Sequence, residues 1–312
     1  MNGIPVLDRP ARRYTGGLST ATAGPGAGTS PMSWHGRLEL RYRHDPEGRR
    51  TVGHDRHDGP LRVLASLHPE GPGVCHHVLV HPPGGIVGGD VLEIDVEVQA
   101  GAHALITTPG ATRFYRSAGP TARQHLRARV ASGARLEWLP LETIAYDGVR
   151  AVNAMRFELD DGAEMIGWDL LALGLPAAGE PLRRGRFEQQ IELPGAWLER
   201  GLLDMDDPLS ARLLASPLGW DGRSTLATLW FASGSAMTPA RRDALLAAAR
   251  EAIEAADATL AAGATSPDGR VVVLRALARR TEPAFALLAD AWARWRQAAW
   301  ARPACPPRVW RT

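Results

Sequence analysis

Leu38, Leu40 and Tyr42 alternate with Arg37, Glu39, Arg41 and Arg43. This period of two places one face of a strand in a core and the other in water. Apolar-rich runs then recur at short intervals, at residues 61–67, 74–80, 91–98, 103–107, 124–130, 135–139, 152–159, 163–173, 187–193 and 226–232. Turn pairs such as Ala100-Gly101, Ser132-Gly133, Asp147-Gly148 and Asp161-Gly162 separate them, and residues 46–60, with His54 and His57, read as a polar loop. Many short strands without helical patterns between them predict a mainly β body. No internal sequence repeat marks that body as a periodic solenoid.

The pattern changes after residue 232. Thr238 is placed to cap a helix with Pro239 at its first position. Leu246, Ala249, Ile253, Ala256 and Leu260 then keep a three-four spacing as far as Gly263, predicting a helix over about 239–262. A short strand at 271–274 precedes a second helix over about 282–301, on which Phe285, Leu288, Trp292, Trp295 and Ala299 form one stripe. Trp292 and Trp295 belong to the core on this pattern. Trp300 and Trp310 are freer, either as interface anchors or as a cover for the end of the β body. The tail 302–312 is too rich in proline for a helix. Residues 1–33, mostly Gly, Ala, Ser, Thr and Pro from about 16 onward, predict a flexible leader. Residues 34–312 form a single β-rich domain on this reading.

Composition narrows the chemistry. An apolar fraction of 45% with 22% charged residues describes an ordinary globular chain of 312 residues. The net charge of +2 is too balanced for nucleic acid or an anionic membrane as the principal partner. All 36 side chains counted as Lys or Arg are Arg. A Walker A lysine and a Schiff-base lysine are therefore both excluded. Two cysteines, Cys75 and Cys305, make no disulfide framework and match no zinc spacing. No apolar run approaches bilayer length, and a cytoplasmic protein is the simplest expectation.

Candidate sites remain scattered. The segment His81-Pro-Pro-Gly-Gly-Ile-Val-Gly-Gly-Asp90 crosses tightly between two strands. Its order is GGxxGG and a strand follows it, so it lacks the dinucleotide fingerprint. His68, His76, His77 and His81 lie near Cys75 without a closed ligand set. Glu93, Asp95 and Glu97 share one strand face, either as a solvated wall or as a carboxylate-lined cation route. Arg113, Arg116, Arg123, Arg127 and Arg129 follow as a basic stretch suited to a protein surface or a solvated strand face. Ser216, Ser233 and Ser235 lack a nucleophile elbow.

Several motifs in order resemble one family, the urease accessory protein UreD (also UreH). They are Trp34-His-Gly-Arg-Leu-Glu-Leu40, the His81–Asp90 loop, Thr107-Thr-Pro-Gly-Ala-Thr-Arg-Phe-Tyr-Arg-Ser117, Trp138-Leu-Pro-Leu-Glu-Thr-Ile144, Ser216-Pro-Leu-Gly219 and Pro307-Arg-Val-Trp-Arg-Thr312. The family often carries Lys where this chain has Arg113, and the long leader is less typical. The resemblance implies an elongated helical arrangement of strands with two helices near the C-terminus. It implies a non-catalytic scaffold that binds apo-urease and UreF directly and reaches the GTPase UreG through UreF, with UreE as an indirect nickel source. Neither nucleic acid nor membrane is an expected partner. The expected interaction and turn positions are Pro82, Pro83, Gly84, Gly85, Gly88, Gly89, Thr107, Thr108, Pro109, Gly110, Arg113, Tyr115, Trp138, Pro140, Glu142 and Trp310. No cofactor is expected to bind tightly. Transient Ni²⁺ would meet His81, Asp90, Glu93 and Glu142, because a conduit must hold its cargo weakly. The rival readings are a β-rich binding module unrelated to urease and a hydrolase with dispersed catalytic residues.

Overall fold

The computed structural model describes residues 33–311, so the leader, apart from Ser33, lies outside the described residues. In chain order the strands are β1 (His35–Asp45), β2 (Arg50–Asp58), β3 (Arg62–Val63), β4 (Cys75–Val80), β5 (Val91–Val98), β6 (His103–Thr107), β7 (Thr112–Phe114), β8 (Ala122–Val130) and β9 (Arg135–Leu139). They continue with β10 (Thr143–Ala145), β11 (Val149–Leu159), β12 (Glu164–Leu173), β13 (Gly185–Leu193), β14 (Trp197–Asp204), β15 (Thr225–Ser233), β16 (Ala261–Asp268) and β17 (Val271–Ala278). The helices are α1 (Pro208–Ala215), α2 (Pro239–Ala255) and α3 (Thr281–Trp300).

The strands wind into a β-solenoid. The outer sheet runs β14-β13-β11-β8-β5-β1-β2, and the inner sheet runs β16-β17-β15-β12-β9-β6-β4-β3. Neighbours β5, β8, β11 and β13 are parallel, as are β4, β6, β9 and β12. The chain therefore travels from inner strand to outer strand and back, climbing one coil each time. Short strands β7 and β10 turn the corner between the sheets and pair in parallel with each other, and β10 pairs with the end of β12.

One tight turn recurs four times, at three opposite corners between the sheets and once in the hairpin that joins β13 to β14 within the outer sheet. Ala102 N–H donates to Gln99 O at 3.0 Å, Ala134 to Ala131 at 2.9 Å, Ala163 to Asp160 at 2.9 Å and Ala196 to Leu193 at 3.0 Å. The third residue of each is a glycine with positive φ, at 101, 133, 162 and 195, where a side chain would be strained. The fourth is an alanine. In the first three turns it is fully buried, small enough for the coil to close over it. These Gly-Ala pairs recur about every thirty residues, which is a repeat of the solenoid kind carried by almost nothing but two small residues.

Two apolar layers result. One fills the space between the sheets, with Leu38, Tyr42, Ile94, Phe114, Phe157 and Trp230 at its centre. The other lies between the inner sheet and helices α2 and α3, around Trp168, Phe231, Leu245, Trp292 and Trp295. The inner sheet is thus buried on both faces, which explains the nearly continuous apolar run of β12.

Several expectations need correction. Residues 46–60 are not simply a loop, because β2 pairs antiparallel with β1 throughout its length; its exposed polar face hid the strand. The first long helix ends at Ala255 rather than 262, and Gly263 sits inside edge strand β16. Its buried residues are Leu245, Ala249 and Ala252, and the other predicted positions, Leu246, Ile253, Ala256 and Leu260, pack half-buried against the same layer. Thr238 does cap it, accepting from Arg241 N. Helix α1, capped by Asp207, and strands β7, β10 and β14 were not predicted. Trp310 is no free anchor. It stacks against Trp168, Phe285 and Trp292, and its Nε1 donates to Thr107 Oγ1 at 2.8 Å.

Candidate functional site

The three loop motifs stack on one corner of the solenoid, in successive coils. Ile86 N donates to Arg113 O (2.7 Å) and Tyr115 N to Ile86 O (2.9 Å), joining the first motif to the second. Thr112 N donates to Glu142 O (2.8 Å) and Leu141 N to Thr108 Oγ1 (2.9 Å), joining the second to the third. Gly85 is required by the packing: a Cβ there would lie 2.0 Å from the Tyr115 ring. Tyr115 in turn packs on Tyr146 from the next coil. Pro82, Pro83, Val87, Pro109 and Arg113 are left facing solvent, and among the described residues Arg113 has no carboxylate partner. This corner is a surface of prolines with Arg113 as an unpaired cation.

Beside it a cavity of about 250 Å³ is lined by His81, Thr108, Thr112, Arg113 and Gln124. Burial pulls the His81 imidazole below its usual range, with the nearby Asp90 opposing. Asp90 itself is buried, and its carboxylate accepts from Trp34 N and Val87 N at 2.9 Å each. It ties the first described residues to the motif loop.

The other expected metal residues do not join these two. Glu142 is half-buried and meets the second motif through its backbone oxygen. Glu93 lies on the solvent face of the outer sheet, 3.0 Å from His35 Nε2. Asp95 and Glu97 share that face, as the alternation requires, but they pair with Arg37 (3.3 Å) and Arg41 (2.9 Å). Asp95 and Glu97 are thereby neutralised, and Glu93 alone of the three has no arginine ion pair among the described residues. Among the described residues, no group of three or more His, Cys, Asp or Glu is placed to hold a metal ion.

The histidines near Cys75 serve other ends. His77 Nδ1 lies 2.8 Å from Tyr42 Oη, and its Nε2 lies 2.8 Å from Ser66 Oγ. Burial lowers the His77 pKa to about 4, raises that of the Tyr42 phenol well above its usual range, and raises that of the Cys75 thiol. Both ring nitrogens are engaged by hydroxyls, so the neutral ring donates to one of them and accepts from the other.

Sequence reasoning missed a buried network against α3. His76 Nε2 meets Glu70 (2.7 Å), Arg296 Nη2 donates to Glu70 (2.5 Å), and Arg302 Nη1 donates to it at 3.3 Å. Glu137 accepts from His103 (2.7 Å) and Trp292 Nε1 (2.5 Å), and Arg296 Nε lies 3.7 Å from it. Glu137 and Arg296 have no exposed side-chain surface. Burial pushes the Glu70 carboxyl up, but hydrogen bonds from His76 and Arg296 outweigh it and hold the carboxyl at about 2. The network joins the inner sheet to the last helix, buried at Glu137 and Arg296 and reaching solvent chiefly through Arg302.

A second omission is Asp169 on β12, buried between the sheets. Burial, reinforced by Glu199, raises its pKa to about 7 against the Gln189 amide that donates to it. It was hidden because a lone acid inside an apolar run reads only as an interruption.

The comparisons with known proteins cover almost all of the described body. The family model described as UreD urease accessory protein matches residues 35–311. The chain is 61% identical to the urease accessory protein UreD of Leptothrix cholodnii, across 90% of this chain and all of that one. The UreD proteins of Methylibium petroleiphilum (61%) and Variovorax paradoxus (57%) match over the same shares. A model spanning so much of the chain, with identities this high, places it in a family of accessory proteins rather than enzymes: the chain belongs to the UreD urease accessory protein family.

Proposed function

We propose that this chain is the rigid bridge on which apo-urease is held while nickel is inserted, and that the motif corner is its contact surface. A general role in urease maturation follows from the family; the named contacts are our reading. UreF binds directly, UreG docks through UreF, and UreE supplies nickel to that assembly in the cytoplasm. The observation that carries this reading is the stacking of three separate motifs into one exposed, proline-rich corner with an unpaired Arg113. Prolines and interlocked backbone lose little freedom on binding, which lowers the cost of association. Arg113 offers a fork to a carboxylate on the partner.

Nickel is cargo here. Weak contacts from His81 and Asp90 beside the cavity, with Glu142 one coil on, would pass a hydrated ion along without trapping it. Glu93, on the outer face, would serve only as an approach. The test is reconstitution of apo-urease with UreE, UreF, UreG, Ni²⁺, bicarbonate and GTP, with and without this chain, reading urease activity and bound nickel. Full activation without the chain would end the proposal. Full activation by each of His81→Ala, Asp90→Asn, Glu93→Gln and Glu142→Gln, with the complex intact, would end the nickel route alone.

A further inference from the structure

At the end of the solenoid, between β12 and β15 on one side and β13 and β14 on the other, lies a cavity of about 210 Å³. Most of its wall is hydrocarbon, from residues such as Phe187, Ile191 and Trp220. Its polar groups are mainly acceptors. Gln189 spends its amide N–H on Asp169, leaving its Oε1 buried with no partner. Asp169 is 5% exposed and has no cationic partner among the described residues. Glu199 adds a second carboxylate, held by Arg275 Nε at 2.8 Å from the solvent side. Thr228 supplies the one hydroxyl. A mostly apolar cavity with an orphaned carbonyl beside a carboxylate calls for a donor, and preferably a charged one.

The mouth points to where the donor comes from. Leu202 and Leu213 line the cavity and are each 44% exposed, while Leu198 on the same strand and Leu209 on the same helix are more exposed still. A free small cation would gain nothing from these leucines; a polypeptide would cover them. We propose that this cavity receives the guanidinium or ammonium head of an arginine or lysine side chain, presented by a partner polypeptide whose apolar residues cover Leu202 and Leu213. The alkyl stem lies along the hydrocarbon wall while the head satisfies Asp169 and Gln189 Oε1.

The groups facing Asp169 define the pH response. Gln189 on β13 and Thr228 on β15 do not titrate, Glu199 on β14 stays paired with Arg275 of β17, and no titratable group of α1 lines the cavity. With Asp169 near 7, about nine-tenths is ionised at pH 8 and about one-tenth at pH 6. Affinity for the cation therefore falls about tenfold between them.

The test uses the full chain and two short capped peptides, Leu-Ala-Arg-Ala-Leu and the same peptide with neutral citrulline for arginine, followed by calorimetry at pH 8 and pH 6. The arginine peptide should bind at least tenfold more tightly at pH 8 and lose that advantage at pH 6. Asp169→Asn should equalise the two peptides, and Gln189→Met, which keeps the carboxyl, should weaken the arginine peptide several-fold. Equal binding of both peptides to the native chain would overturn the proposal, as would an Asp169→Asn variant that still prefers arginine. Butylguanidinium binding as tightly as the peptide would show that the ligand is a free cation. Displacement of the peptide by stoichiometric Ni²⁺ would reassign the cavity to a metal.

Discussion

Asp169→Asn should make the protein more stable at neutral pH and leave it nearly unchanged in acid. The buried carboxyl titrates near 7 when folded and near its ordinary 3.8 when unfolded. Between these values the folded state holds a proton that the unfolded state has released, so stability falls as pH rises. Each pH unit in that window removes about 1.4 kcal/mol, or about 4 kcal/mol between pH 4 and pH 7. Above pH 7 the loss is complete and the curve is flat. Asn keeps the hydrogen bond from Gln189 and cannot ionise, so it is spared the loss. Urea unfolding of both proteins at pH 5 and pH 8, with no binding partner present, gives the difference directly, since other titrating groups cancel. The expected advantage of the variant is about 1–2 kcal/mol at pH 5 and about 4 kcal/mol at pH 8, the latter roughly 10 °C in melting temperature. A difference that does not grow with pH would refute the claim that Asp169 is buried without a cationic partner.

Other outcomes follow from the geometry. Glu137→Ala strips His103 and Trp292 of their buried acceptor and leaves Arg296 to Glu70 alone, and should cost about 3–5 kcal/mol in the same assay; a cost below about 1 kcal/mol would mean that water already occupies the network. Trp310→Ala, at a half-buried site, should cost about 2 kcal/mol, read as a lower urea midpoint, whereas a purely exposed anchor would cost nothing. Gly85→Ala drives a methyl into the Tyr115 ring and should reduce urease maturation in the reconstituted system, and Gly85→Ala with Tyr115→Ala should recover folding but not full activity. Glu97→Ala on the outer face should change stability by less than about 1 kcal/mol, and less again in high salt.

Much of the body was legible because burial and alternation coincide. The bounds of β5, β6 and β9 match the apolar runs, and Thr238-Pro239 marked the start of α2. Where two buried faces or two exposed ones meet, the alternation vanishes. Strand β2 has an exposed second half and reads as a loop, and β16 is built of small residues that carry no period at all. The coil repeat escaped notice because it lives in the Gly-Ala corners and in the backbone register, while the intervening side chains vary with whatever each layer requires. Glu93, Asp95 and Glu97 were placed on the right face, but their arginine neighbours belong to β1 and β8, and pairing across strands is not written along one strand. His81 and Asp90 were found because they share a loop. Glu70 and Arg296, or Asp169 and Gln189, are brought together only by the coiling of the chain.

The Glu70–Arg296 pair has a consequence for synthesis. The Glu70 carboxylate is made 226 residues before its counter-charge on α3, and Trp310, which seals the same layer, follows later still. Nascent coils can hydrogen-bond to one another beforehand, yet their inner sheet stays uncovered until the final helix arrives. Chains that stop short of α3 would therefore be sticky intermediates, with this apolar layer left open.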